Sequence, residues 1–181
     1  MRVLALLASA VVAAAAAAQV PVPGLEETLD RLQEQMALYA KPRTRDFRGT
    51  TESSYSFTAR DGCLVELAKT SIARSREDDS ETRTVATTRL HLGELQPDAV
   101  KILGPGKAGW TMSAKLKDEY VDLLEKQSRS KDSAPAVEKD RPTRSIAIEF
   151  TISSMARNSG RALRHAILLC EPEARPEKRK T

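Results

Sequence analysis

The sequence predicts an α+β fold: an N-terminal helix, an antiparallel sheet of about five to six strands, and a closing C-terminal helix. Three observations predict it. Ile146, Ile148, Phe150 and Ile152 fall at every second position, which is the period of a strand with one buried face. Met155, Ser159, Ala162, Leu163, Ala166, Ile167 and Cys170 then recur at steps of three and four, which is one stripe of a helix. The only other cysteine, Cys63, begins an apolar strand far upstream, so a Cys63–Cys170 disulfide is expected to tie sheet to helix.

The chain of 181 residues opens with Met1-Arg2, an apolar run from Val3 to Val12 and six alanines. Ala16-Ala17-Ala18 before Gln19 fits a small-residue cleavage site, so residues 1–18 are expected to be a secretory signal peptide. The run from Val3 to Ala18 falls short of the roughly 20 residues that a bilayer span needs, and no second run approaches that length. Secretion or a periplasmic location follows as an expectation, and it agrees with cysteine usage that favours a disulfide. Removing Arg2 takes the 29 Lys and Arg to 28 against 25 acids, a net charge of +3. Charges of both signs are interspersed, and there are only three Phe, three Tyr and one Trp. A nucleic-acid partner is therefore not expected, because a single-strand binder needs stacking platforms beside its basic groove.

Leu25, Leu29, Leu32, Met36 and Tyr39 repeat at steps of four and three, predicting a helix from Leu25 to Ala40 that Pro42 ends. Glu26, Glu27 and Asp30 suit its dipole. This stripe reads as core in preference to a partner-binding face, because it spans only about two heptads. Lys41, Arg43, Arg45 and Arg48 make a basic linker, completing a unit at residues 19–50.

The main domain is expected at residues 51–170. Tyr55, Phe57 and Ala59 alternate with Ser and Thr, Arg60-Asp61-Gly62 is a turn, and Cys63, Val65 and Leu67 begin a second strand running to Arg74; together they predict a hairpin. Ser75 to Glu81 is a polar connection without the spacing of a calcium loop. Thr82 to Leu92 is a third strand, with Ala86, Thr88, Leu90 and Leu92 on one face, and Val100 to Leu103 is a short fourth. Gly104 to Gly109 is a strand-connecting turn, lacking the GK-[ST] ending of a phosphate loop. Trp110 to Lys115 reads as a strand, and Leu116, Tyr120, Leu123 and Leu124 as a short helix to Lys126. Gln127 to Thr143 is rich in Ser, Lys, Asp and Pro and is expected to be a disordered insertion. Strand 145–152 follows, then a helix capped by Ser153 or Ser154, with Arg157, Arg161 and Arg164 toward water. Gly160 weakens that helix unless a close contact needs the missing side chain. Residues 171–181 are expected to be a disordered tail.

Asp61-Gly62-Cys63, Gly93-Glu94-Leu95-Gln96-Pro97 and the ending Ala166-Ile167-Leu168-Leu169-Cys170 resemble a loose group of exported bacterial domains of unknown function. In that group a short antiparallel sheet is followed by a C-terminal helix ending Leu-Cys. The resemblance covers about Thr51 to Cys170 and implies compartment and element order, but no activity. Several strands before one closing helix also resemble a pleckstrin-homology-like arrangement, an analogy of fold that implies no ligand.

No catalytic, cofactor-binding or metal residues are expected. His91 lies with Thr87 and Arg89 on the face opposite Leu90, and His165 is expected to face solvent; neither has metal-ligand spacing to another donor. No G-x-S-x-G, H-E-x-x-H or nucleotide fingerprint occurs. The function expected is a non-enzymatic exported module that binds a protein or envelope component through its sheet or first helix. The alternatives are an enzyme whose site is assembled only in three dimensions, with His91 as its general base, and a basic anion-binding surface from Lys41 to Arg48 with Lys178-Arg179-Lys180.

Overall fold

The computed structural model describes residues 22–118, 123–132, 134 and 136–171. The expected signal peptide and the expected tail beyond residue 171 lie outside them. Among the described residues helix α1 (Leu25–Tyr39) comes first and helix α2 (Ser153–Cys170) last, with nine strands between. Strands β1 (Arg43–Arg45), β2 (Gly49–Asp61), β3 (Leu64–Ser75), β4 (Glu81–His91), β7 (Leu123–Lys131) and β8 (Val137–Thr143) form a six-stranded antiparallel sheet in that order. Strands β5 (Lys101–Gly106), β6 (Gly109–Lys115) and β9 (Ser145–Phe150) form a second, three-stranded sheet. The α+β class and the helix–sheet–helix order are as expected; the small second sheet is additional.

Both helices form where the apolar period placed them. Leu29, Leu32 and Met36 of α1 are buried against α2 and β2, so this stripe is core. Along α2 the buried face is Ala156, Ser159, Gly160, Leu163, Ala166, Ile167 and Cys170, with Met155 and Ala162 half-buried beside it. The small side chains let the helices approach, and Ser159 Oγ donates to Gln35 Oε1 of α1 at 2.8 Å. A Cβ on Gly160 would come within 2.9 Å of Ile102 Cδ1 on β5, so the glycine is there for a close helix–sheet contact. The expected serine cap is absent. Ile152 is the N-cap residue without a side-chain bond, and the Ser153 hydroxyl instead accepts from Arg157 Nη2 at 3.1 Å. Arg164 is exposed, yet its guanidinium donates to the carbonyls of Pro97 and Val100 at 3.1 and 3.2 Å, which closes the short turn Pro97–Ala99 against α2.

The disulfide joins Cys63 to Cys170 across 107 residues, with Cα atoms 5.7 Å apart. Both sulfurs are buried, at the end of the β2–β3 turn and at the last turn of α2. Gly62 takes φ 49° in that turn. No helix among the described residues is long and apolar enough to cross a membrane.

Three expectations are corrected. The basic linker contains a strand: β1 pairs Arg43 with Glu52 and Arg45 with Thr50. The helix expected from Leu116 to Lys126 is not formed by its described residues, since Leu116 bridges to Leu95 and residues 123–126 begin β7; Tyr120 lies outside the described residues. Here the N–H groups of Leu116 and Lys117 bond to Arg144 O and Glu94 O, so sheet partners outcompete helical ones. The insertion expected to be disordered over 127–143 is the β7–β8 hairpin, docked on β4 from Thr82 to Thr88. It buries little apolar surface; the free edge of β4 supplies the backbone partners that order it.

Candidate functional site

The register places defined rows on one face of the large sheet. Tyr55, Lys69, Ala86, Gln127 and Lys139 lie side by side across β2, β3, β4, β7 and β8. Phe57, Leu67, Thr88, Glu125 and Arg141 form the next row, and Ser53, Ser71, Thr84, Arg129 and Val137 the row on the other side. The Phe57 row runs into the core at one end, while the β7–β8 end stays open.

Where the face meets the start of β9 there is a cleft of about 250 Å³, into which Lys69, Glu125, Arg141 and Ser145 project beside the Tyr55 ring. Two of its lining residues, Tyr55 and Lys69, belong to a charged clasp between the sheets. Tyr55 Oη donates to Glu149 Oε2 at 2.9 Å, and Lys69 Nζ donates to the same oxygen at 3.1 Å while lying 5.2 Å from the centre of the Tyr55 ring. Glu149 lies on the β9 face expected to be wet; it is half-buried because the large sheet reaches across to it.

Burial pushes the Tyr55 phenol up to about 12, with the Lys69 ammonium opposing and Glu149 adding to the rise. Burial works to lower Lys69, but Tyr55 and Glu149 outweigh it and hold the ammonium above its ordinary value. At neutral pH, Tyr55 is thus a neutral hydrogen-bond donor and Lys69 a fixed cation. Neither is a base or nucleophile there, since both roles need the deprotonated form. The clasp ties β9 to the β2–β3 hairpin and polarises the cleft.

The sign of its pH dependence follows. With a folded value of about 12 against about 10 unfolded, the neutral phenol is favoured by the fold, and stability is complete below pH 10 and falls as the pH rises through 12. The loss approaches about 2–3 kcal/mol above pH 12. Tyr55→Phe is expected to remove this loss while costing about 1 kcal/mol at pH 7 for the missing hydrogen bond. Urea unfolding midpoints at pH 8 and at pH 11–12 check it: the wild type should be the more stable at pH 8, lose that advantage near pH 11 and fall below the variant at pH 12, and parallel lines would be the contrary result.

The histidines are elsewhere. His91 ends β4, where its Nδ1 accepts from Gly93 N–H at 3.2 Å and caps the turn Leu92–Glu94. His165 does not point freely to solvent; it is half-buried, with Nε2 3.0 Å from Pro23 O. Of the basic linker, Arg43 pairs with half-buried Glu52 and Arg48 lies over the Phe47 ring. Among the described residues no His, Cys, Asp and Glu side chains gather into a metal-binding group.

Sequence reasoning missed the clasp and the basic character of the open face. Along β8, Lys139 and Arg141 share a face with Val137, and Glu138 and Asp140 point the other way. The fold and cleft define a disulfide-closed α+β domain with a charged inter-sheet cleft. Compared with protein-family models, curated proteins and solved structures, the chain matches none.

Proposed function

We propose that this chain is an exported, non-catalytic binding module, secreted or periplasmic, that holds an acidic segment of a partner protein on the open face of its six-stranded sheet. The observation that carries the reading is the excess of cations on one face of the β7–β8 hairpin, produced by strict alternation of charge along β8. Arg129, Lys139 and Arg141 stand on the same face as Lys69, and none of these three has an ion-pair partner among the described residues. The β8 carboxylates Glu138 and Asp140 stand on the opposite face, and among the described residues Glu125 of β7 is the one hairpin carboxylate on the cationic face, beside Arg141. Val137, 71 % exposed, lies among the cations as an apolar contact, and the cleft at the root of the hairpin accepts a single side chain. Like-sign cations held on a paired strand raise the local potential and steer an oppositely charged partner.

The disulfide and the absence of a membrane-crossing helix among the described residues support the compartment. A photo-crosslinking residue at Val137 tests the binding face in the exporting cell, with the same residue at Glu138 as the control. The expected result is an adduct with an acidic protein from Val137 only, lost on R129E/K139E/R141E. Equal adducts from the two faces, or adducts indifferent to charge reversal, would overturn the reading.

A further inference from the structure

A second cavity, of about 290 Å³, lies between the two helices and away from the sheet face. Steps of three and four along each helix build it: Glu27, Thr28 and Arg31 from α1 face Asn158, Arg161 and His165 from α2. Arg31 and Arg161 are both exposed, and neither has a hydrogen-bond or ion-pair partner among the described residues. Glu27 is the one carboxylate in the lining among the described residues, where the two permanent cations outnumber it. The Thr28 hydroxyl is committed to Gly24 O at 2.7 Å. The Pro23 carbonyl only accepts, so His165 donates to it from Nε2, which fixes the ring and leaves Nδ1 as its remaining polar atom. Helix α1 starts at Leu25 without a side-chain cap, which leaves the positive end of its dipole beside Val22 and Pro23 at the same cavity.

We infer that this groove is an oxyanion site for a phosphate group, gripped by the guanidinium forks of Arg31 and Arg161 and oriented by the Asn158 amide. A guanidinium presents paired N–H donors that match two oxygens of a phosphate, and two such forks on opposing helices surround a tetrahedral anion where a planar carboxylate would satisfy one. The Asn158 amide supplies a neutral donor between them. Like-charged guanidiniums on facing helices repel, and a bound dianion removes that repulsion, so occupancy stabilises the α1–α2 pair. The residues are distinct from those of the sheet-face reading, and either reading stands without the other.

A phosphate group reaches such a site as a free ion or as a lipid headgroup, and two arms separate the sources. In the first, inorganic phosphate is titrated into the full mature chain at constant ionic strength against chloride, following the amide signals of Thr28, Asn158 and Arg161. In the second, the chain is sedimented with vesicles containing phosphatidic acid and with vesicles of phosphatidylcholine alone. Saturable shifts confined to the groove, weakened at least tenfold in R31Q/R161Q, are expected with phosphate. Vesicle binding that requires phosphatidic acid and is lost in the same variant would assign the headgroup as the source and equally supports the site. Both arginines are exposed, and an unchanged circular dichroism spectrum shows that the variant is folded. Shifts no larger with phosphate than with chloride together with no vesicle binding, or binding in either arm that survives R31Q/R161Q, overturns the inference.

Discussion

Replacing Cys63 and Cys170 together by alanine is expected to lower the unfolding free energy by about 4.7 kcal/mol, the chain-entropy value for a closed loop of about a hundred residues. The loop here spans 107 residues and contains every strand after β2 as well as most of α2. Cutting it releases conformations of the unfolded chain that the bridge forbids. The native state has few ways to compensate, because both sulfurs are almost fully buried and hold the last turn of α2 against the β2–β3 turn. Alanine is the informative substitute, since a serine pair would bury two hydroxyls and add a desolvation cost of its own. With a urea slope of about 2 kcal/mol/M, the midpoint should fall by roughly 2–3 M. Wild type unfolded in the presence of reductant should match the double variant. A midpoint shift below about 0.5 M would mean that the reduced unfolded chain is already compact. The same loss is what the chain would incur in a reducing compartment.

What could be read from the sequence follows from where burial coincides with period. Helix α2, strand β9 and the β2–β3 hairpin each bury one face in the common core, so Ile146, Ile148, Phe150, Phe57 and Val65 announce them. Strands β1, β7 and β8 bury almost no side chain. Their order comes from backbone bonding to β2 and β4, a partner that composition does not report. Hence Gln127 to Thr143 has the composition of a disordered segment and the structure of an edge hairpin. Its alternation of Lys139 and Arg141 with Glu138 and Asp140 was nonetheless present in the residue order, and a strand reading would have exposed the basic face.

The clasp was harder to see for a different reason. Glu149 is 94 residues from Tyr55, and only the fold brings them together. Tyr55 and Lys69 are direct neighbours across the hairpin, but counting back from the turn misleads. Asp61 pairs with Leu64, while the irregularity between Ala59 and Asp61 shifts the register, so Tyr55 faces Lys69 in place of Thr70. A bulge of one residue decides which side chains share a face.

Phe150→Ala is expected to cost about 3–5 kcal/mol, the range for deleting a fully buried aromatic ring. Phe150 is wholly buried at the last position of β9, three residues before α2 begins. It lies opposite Trp110 on β6, and its carbonyl packs so tightly on Gly109 that no Cβ fits there; Gly109 also holds φ +116°, a conformation suited to glycine. The next residue, Thr151, donates its N–H to Tyr39 O at the end of α1. The ring therefore sits where the small sheet, α2 and the end of α1 converge, and the backbone on both sides of it is pinned. Such a site cannot collapse to fill the void, which favours the upper part of the range. Phe150→Leu keeps much of the volume and should lose only about 1–2 kcal/mol. Urea midpoints of the two variants distinguish a cavity from a loss of strand pairing: a cavity makes leucine far milder than alanine, whereas equal losses would place the cost in the strand. A cost below about 1 kcal/mol for alanine would mean that α2 can settle onto the sheet and that the junction is not rigid.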